Sequence, residues 1–398
     1  MMALCTAWAL GPASAAGLAL DSLIRMGLAG NAELQAAGAQ AEVLAADTLG
    51  ALNPANPSLS LEAMHNLDEP SRPKAAAKLS QEIRPGYRPR AESAARARMA
   101  TGRAWQMARE WDLILAIRTD YQAWQILNRK ARSQREVSAR WEGLARLAKA
   151  MVAEGKLSQV DEAQTRLDLA GVQQREAGYR YAMGALEKHL GYLAGTSPLP
   201  DSLAQLEAGP LPALPPLDTL AAWAEAANPE LRALAAESEA GRSQVELEKA
   251  LRTLPFNVSL GYERETDGGN LVGAGVEVPL PLFGRNPGGT AKAKASLREA
   301  DLKRIAAQKK TRADLEAMRG ELLSLADRDR SYREEILELG RKQLALAEKG
   351  FRDGRLGVFD LSKVQQEVLA RELESLDIED AYYRIWNRLG RAVGGKLW

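Results

Sequence analysis

The feature that most constrains this chain is that it repeats itself at a shift of about 197 residues. Leu20-Asp21-Ser22-Leu23 returns as Leu217-Asp218-Thr219-Leu220, and Asn31-Ala32-Glu33-Leu34 returns as Asn228-Pro229-Glu230-Leu231. Leu59-Ser60-Leu61 answers Val258-Ser259-Leu260, and Arg88-Pro89 falls near Arg285-Asn286-Pro287. Glu154-Gly155-Lys156-Leu157 with Asp161 matches Asp353-Gly354-Arg355-Leu356 with Asp360. Five landmarks in one order make the chain two copies of one unit.

Proline marks where the copies join. A Pro-rich linker spans 195–216, no proline lies between Ala91 and Ser197, and none follows Pro287. Long proline-free stretches rich in Ala, Leu, Glu, Arg and Gln read as long helices. The organisation expected is a first repeat over 16–194, the linker, and a second repeat over 217–398. Each repeat carries a helix, a strand hairpin (57–84 or 255–282) and a long helical hairpin. In the second copy Leu322, Leu325, Asp329, Tyr332, Ile336, Leu339, Gln343 and Leu346 keep the 3-4 spacing of a coiled-coil seam. Ile114, Ile117, Tyr121 and Trp124 do so in the first. The long stretches break at Glu154–Ser158 and at Asp353–Gly357, which read as hairpin tips between antiparallel helices. An arm from Arg90 to Ala153 would run roughly 95 Å at the helical rise per residue.

The short strands face two media. Phe256, Val258, Leu260 and Tyr262 alternate with Asn257, Ser259, Gly261 and Glu263, and the next segment sets Val272, Ala274, Val276, Val278 and Leu280 against Gly273, Gly275 and Glu277. Leu59, Leu61 and Ala63 alternate with Ser58, Ser60 and Glu62, whereas Ala75 to Ile83 alternates only weakly. An ordinary half-buried hairpin on a soluble sheet has this pattern, and so does a membrane barrel wall. Four strands cannot close a barrel, so strands that span lipid require several chains to share one.

Composition removes other classes. Lys+Arg 53 against Asp+Glu 52 leaves a net charge of +1, without the basic excess of a nucleic-acid protein. Two histidines and one cysteine do not build a zinc site or a multi-His catalytic centre. His65 and His189 read as surface residues, and Gly273-Ala274-Gly275 lies inside an alternating strand rather than in a phosphate loop. No cofactor, metal site or enzymatic constellation is expected. Ala3 to Ala16 is a short apolar stretch ending in the small-x-small pattern Ala13-Ser14-Ala15, so 1–15 reads as a signal peptide that takes Cys5 with it. A cysteine-free mature chain suits an oxidising compartment.

The repeat, the strand hairpins feeding long helical hairpins, Asn228-Pro229-Glu230-Leu231, the strand exit Pro279-Leu280-Pro281-Leu282-Phe283-Gly284-Arg285-Asn286-Pro287-Gly288 and the tip from Gly354 to Asp360 together resemble the TolC family of outer-membrane efflux channels. The strand exit is similar to that of the CzcC-like, heavy-metal branch. The resemblance implies a mainly α fold, with long antiparallel helical hairpins forming an α-barrel tunnel. Each chain of a homotrimer would contribute four strands to a twelve-stranded membrane β-barrel. It also implies an outer-membrane location, a periplasmic adaptor, an inner-membrane pump of the RND type and no nucleic-acid partner.

Under that resemblance the tip residues Gly155, Lys156, Leu157, Ser158, Gly354, Arg355, Leu356 and Gly357 are the candidates for adaptor contact, with Leu157 and Leu356 as exposed apolar knobs. Any helical hairpin also needs such a turn. Asp161 and Asp360 are candidates for a periplasmic gate, where a ring of carboxylates favours cations. Asp161 reads first as a helix-start residue, since Ser158-x-x-Asp161 is similar to a capping box, and Asp360 fits either role. The family's further Asp three residues on is Lys363 here. Lys78, Glu82, Glu263 and Glu277 are candidates for the barrel lumen or for a solvated face. The competing function is a soluble periplasmic coiled-coil spacer or adaptor-like protein, although no β-rich lipoyl-like domain flanks either hairpin.

Overall fold

The computed structural model describes residues 17–53, 55–64, 74–205, 209–264, 269–280 and 286–398. The expected signal segment, Cys5, His65 and the Pro281–Arg285 part of the strand exit lie outside them. Element order runs through one series twice. The first half holds α1 (Leu20–Gly30), α2 (Ala32–Leu52), β1 (Ser58–Met64), β2 (Lys74–Ile83), α3 (Tyr87–Ala153) and α4 (Gln159–Leu193). The second holds α5 (Leu217–Ala227), α6 (Pro229–Ala250), β3 (Phe256–Arg264), β4 (Asn270–Glu277), α7 (Pro287–Ser331), α8 (Leu337–Arg352) and α9 (Val358–Ala392). A π-helical turn, Tyr332–Ile336, lies between α7 and α8.

The compact units do not follow the repeat. One gathers the residues up to Gln35 with Glu110–Asn228 and Thr311–Trp398; the other gathers Ala36–Arg109 and Pro229–Lys310. Each therefore draws on both halves of the sequence.

The first unit contains two related cores. Leu23 of α1 packs with Leu113, Ile117, Tyr121 and Trp124 of α3 and with Leu190 and Leu193 of α4. Leu220 and Ala224 of α5 pack with Leu315, Leu322 and Leu325 of α7 and with Ile378, Tyr382, Trp386 and Leu389 of α9. The linker is fastened to this unit. Tyr121 Oη donates to the Ala204 carbonyl at 2.9 Å, and Tyr382 Oη donates to the Pro212 carbonyl at 2.7 Å. Burial pushes both phenols up to about 12. The repeated asparagine motif has a mechanical meaning in this unit. Asn31 Oδ1 accepts the Leu34 N–H at 3.0 Å, capping α2, while its Nδ2 donates to the Leu193 carbonyl at the end of α4. Asn228 Nδ2 donates in the same way to the Ala392 carbonyl at the end of α9.

The expected seam on the second long helix holds only in part. Leu322, Leu325 and Asp329 are buried, but Leu339 and Leu346 are 64% and 70% exposed, and Gln343 is exposed with them. The π-helical turn is the reason. Leu337 N–H donates to the Tyr332 carbonyl, five residues back, so one extra residue enters the turn and every later position rotates. The buried positions become Gly340 and Ala347. The turn is held by Arg333, which pairs with Asp329 at 2.8 Å and with Glu379 of α9 at 3.3 Å; the buried Glu379 also pairs with Arg129 of α3 at 2.6 Å.

In the second unit, small residues let the helices approach closely. Ala41, Ala94, Ala95, Ala233, Ala293 and Ala300 are buried, and a Cβ on Gly241 would lie 3.2 Å from a Leu297 methyl. Asn286, at a φ of 53°, caps α7 by accepting the Gly289 N–H at 3.2 Å, and Pro287 fills the first helical position. The four strands form one antiparallel sheet in the order β1-β2-β3-β4. Its register aligns Leu61, Ala77 and Tyr262 with Val272 on one face, and Ser80, Ser259 and Gly275 on the other.

Candidate functional site

The two helix tips are built alike. After α3, Gly155 takes a φ of 69° and Lys156 N–H reaches back to the Met151 carbonyl at 2.8 Å. After α8, Gly354 takes a φ of 71° and Arg355 N–H reaches the Gly350 carbonyl at 2.8 Å. This is a Schellman closure, in which the left-handed residue is favoured to be glycine because a Cβ is strained there. Lys156 pairs with Glu154 at 2.7 Å, and both lie exposed.

Both candidate gate carboxylates sit in the first turn of the returning helix. Ser158 Oγ accepts the Asp161 N–H at 3.1 Å and donates to Asp161 Oδ2 at 2.7 Å. Asp360 Oδ2 accepts the Gly357 N–H at 3.4 Å. Each therefore closes an N-terminal cap, and Asp360 remains exposed. Asp161 is half-buried.

The apolar knobs are not where the sequence placed them. Leu157 and Leu356 are half-buried, and Leu356 folds back over Gly350 to pack with Leu144, Ala347, Val358 and Leu361. A leucine just after a left-handed glycine is drawn back onto the last turn of the helix it follows, because that contact accompanies the closure. The exposed apolar residues are instead Val160, at 76%, and Phe359, at 57%. Both precede the capping aspartate, at matching places in the two repeats. An apolar residue just before the acidic third position of each returning helix was the signal available in the sequence.

The sheet register brings Lys78, Glu82, Glu263 and Glu277 to a single face, with Glu82, Asn257 and Glu277 in one row. Lys74 lies 3.8 Å from Glu263, and Arg84 lies 3.2 Å from Glu82. The opposite face carries Leu59, Leu61, Leu79, Leu260, Val272 and Val276, all exposed. Among the described residues, β1 and β4 each have one unpaired edge. His189 lies on α4, hydrogen-bonded to Asp120. Among the described residues no group of three or more His, Cys, Asp or Glu could hold a metal ion, and no helix is long and apolar enough to cross a membrane.

Three comparisons bear on this arrangement. The model of the family described as outer membrane efflux protein matches residues 220–395. The cobalt-zinc-cadmium resistance protein CzcC of Cupriavidus metallidurans is 25% identical over 258 residues, which are 63% of this chain and 60% of that relative. This chain thus spans under two thirds of that relative's length. Among solved structures, CusC aligns with a TM-score of 0.76 at 15% identity, over 94% of this chain and 92% of that one. VceC of Vibrio cholerae aligns at 0.75 and 15%, over 95% and 97%. The open state of MtrE of Neisseria gonorrhoeae aligns at 0.75 and 16%, over 95% and 89%. At these identities the structural likeness is one of fold.

Proposed function

We propose that the chain is a member of the outer membrane efflux protein family, whose model matches residues 220–395, and that it is the exit duct of a tripartite efflux system. It works as a homotrimer, passively conducting substrate from an inner-membrane pump of the RND type and a periplasmic adaptor to the outside. The observation that carries this reading is the sheet. One face carries exposed apolar side chains, the other holds Lys78, Glu82, Glu263 and Glu277, and among the described residues both edges are open. In water the apolar face would be an aggregation surface. In lipid, with three copies, the same strands close a barrel of twelve, within the range of outer-membrane barrels. The soluble spacer offers no cover for that face.

The sheet's charged face then lines the lumen, and the helical part forms a periplasmic tunnel. The tips from Gly155 to Ser158 and from Gly354 to Gly357 meet the adaptor, with Val160 and Phe359 supplying the apolar contact. Asp360 and Asp161 ring the periplasmic mouth. Heavy-metal cations are the proposed cargo class, since the relative CzcC is named for cobalt, zinc and cadmium resistance. The test is extraction from outer membranes followed by single-channel recording in a planar bilayer. Cation-preferring channels whose preference weakens in Asp360→Asn support both duct and gate. Channels indifferent to that change remove Asp360 from the gate, and a detergent-free soluble protein that forms no channel overturns the duct.

A further inference from the structure

The register shift at the π-helical turn leaves a stripe on α8 uncovered by the described residues of its own unit. Leu339, Gln343 and Leu346 keep coiled-coil spacing, and all three are exposed. A second uncovered stripe runs along α4. Val160, Gln164, Leu167, Gly171, Gln174, Gly178 and Tyr181 keep the same 3-4 spacing; Leu167 is 67% exposed, and only Gly171 falls short of full exposure. The opposite side of α4 is engaged, with Val172 packed on Val137 and Trp141 of α3. The opposite side of α8 is engaged as well, with Ala347 packed on Leu144 of α3 and Leu361 of α9. No hydrogen bond or ion pair among the described residues joins α4 to α8.

Two different stripes on two helices that do not pair with each other are what a ring requires. In a cyclic trimer each interface is heterologous, so one face of a copy meets a different face of the next. The heights agree. Met151 of α3 and Phe351 of α8 pack in one cluster, so the two tips lie level. Counted from the tip glycines, Leu346 is 8 residues before Gly354, between Val160 and Leu167 at 5 and 12 after Gly155. Leu339 is 15 before and Gly171 is 16 after, which sets a large side chain opposite the place with no side chain. Glu335 is 19 before and Arg175 is 20 after; both are exposed, and neither has an ion pair among the described residues. Apolar knobs, a small-residue hole and opposite charges coincide in one antiparallel alignment.

We propose that α4 of one copy docks along α8 of the next, with Leu346 seated among Val160, Gln164 and Leu167, Leu339 over Gly171, and Glu335 facing Arg175. This rests on the homotrimer reading above and specifies which surfaces close the tunnel wall. The π-helical turn is then the device that frees the interface: it turns the small positions Gly340 and Ala347 inward and presents the leucines to the neighbouring copy.

Disulfide trapping tests the alignment in a Cys5→Ala background, which is otherwise cysteine-free. The detergent-solubilised full chain carrying Gln164→Cys with Leu346→Cys should give covalent trimers on oxidation. Co-expressed chains bearing one substitution each should give covalent dimers, and either single variant alone should give monomers. Native mass spectrometry of the same samples reports the assembly independently. A trimer that stays uncross-linked overturns this alignment while leaving the homotrimer standing, and passes the stripes to another occupant such as the adaptor. A monomer overturns the homotrimer and the alignment together. As a second readout, Leu339→Glu should dissociate the trimer with its helical signal intact; a trimer that persists counts against the seam.

Discussion

Deleting Glu334, in the middle of the π-helical turn, should leave the protein close to its parental stability. An α-helix rotates about 100° per residue, so removing a residue normally swings everything beyond it to a new face. Here the turn already contains one residue too many, with Leu337 N–H bonded five residues back to Tyr332. The deletion restores closure four residues back and keeps Gly340 and Ala347 facing inward. Glu334 is exposed and makes no ion pair among the described residues. The change should therefore stay within about 1 kcal/mol, the scale of one net hydrogen bond. Deleting Arg371 from α9 is the control, because α9 contains no such turn. That deletion must rotate either Val358, Leu361 and Val368 or Ile378, Tyr382 and Trp386 off their partners. Losing three such sites at about 1.5–3 kcal/mol each costs about 5 kcal/mol or more. Urea unfolding followed by the far-ultraviolet helical signal compares the two. Equal destabilisation by both deletions would refute the claim that the turn is a removable insertion.

Two further predictions use groups whose roles separate cleanly. Asn31→Ser should keep the cap on α2 and lose only the bond to Leu193, whereas Asn31→Ala should lose both; the expected costs are about 1 and about 2–3 kcal/mol in the same unfolding assay, and equal costs would refute the split. Burial raises the pKa of Glu372, so the folded state disfavours its ionised form. The stability associated with its protonated form is full below the ordinary glutamate pKa and is lost as pH rises through the raised value. Glu372→Gln should accordingly raise the melting temperature near neutral pH, with the gain vanishing in acid; a gain independent of pH would point away from ionisation.

Much of the chain was legible because its signals are local. Gly155 and Gly354 mark the tips since glycine closes a helix at positive φ with the least strain. The alternation in Phe256–Arg264 already assigns each side chain to a face, because strand periodicity is two. The asparagine repeat announced two equivalent places before its meaning was visible. That Asn31 joins the start of α2 to the end of α4 depends on residues 162 apart in sequence. The weakly alternating segment Lys74–Ile83 became a full strand because β1 and β3 pair with it on both sides.

The seam on α8 shows where sequence alone stops. Two heptad stripes lie side by side there: Leu339, Gln343 and Leu346, and, one residue on, Gly340, Leu344 and Ala347. Hydrophobicity favours the first as the buried one. The fold turns the second inward, burying Gly340 and Ala347 and half-burying Leu344, because small residues let α9 come close, with a Cβ on Gly340 only 3.6 Å from Val368. The ion pairs from Arg333 to Asp329 and Glu379 hold the extra residue that permits it. The sequence by itself determined the repeat, the helices, the tips and the two-faced strands, each set by a period or a backbone angle. Which side of α8 faces its own chain was decided by tertiary structure, because a one-residue rotation costs little locally and its balance is set by packing against a helix distant in sequence.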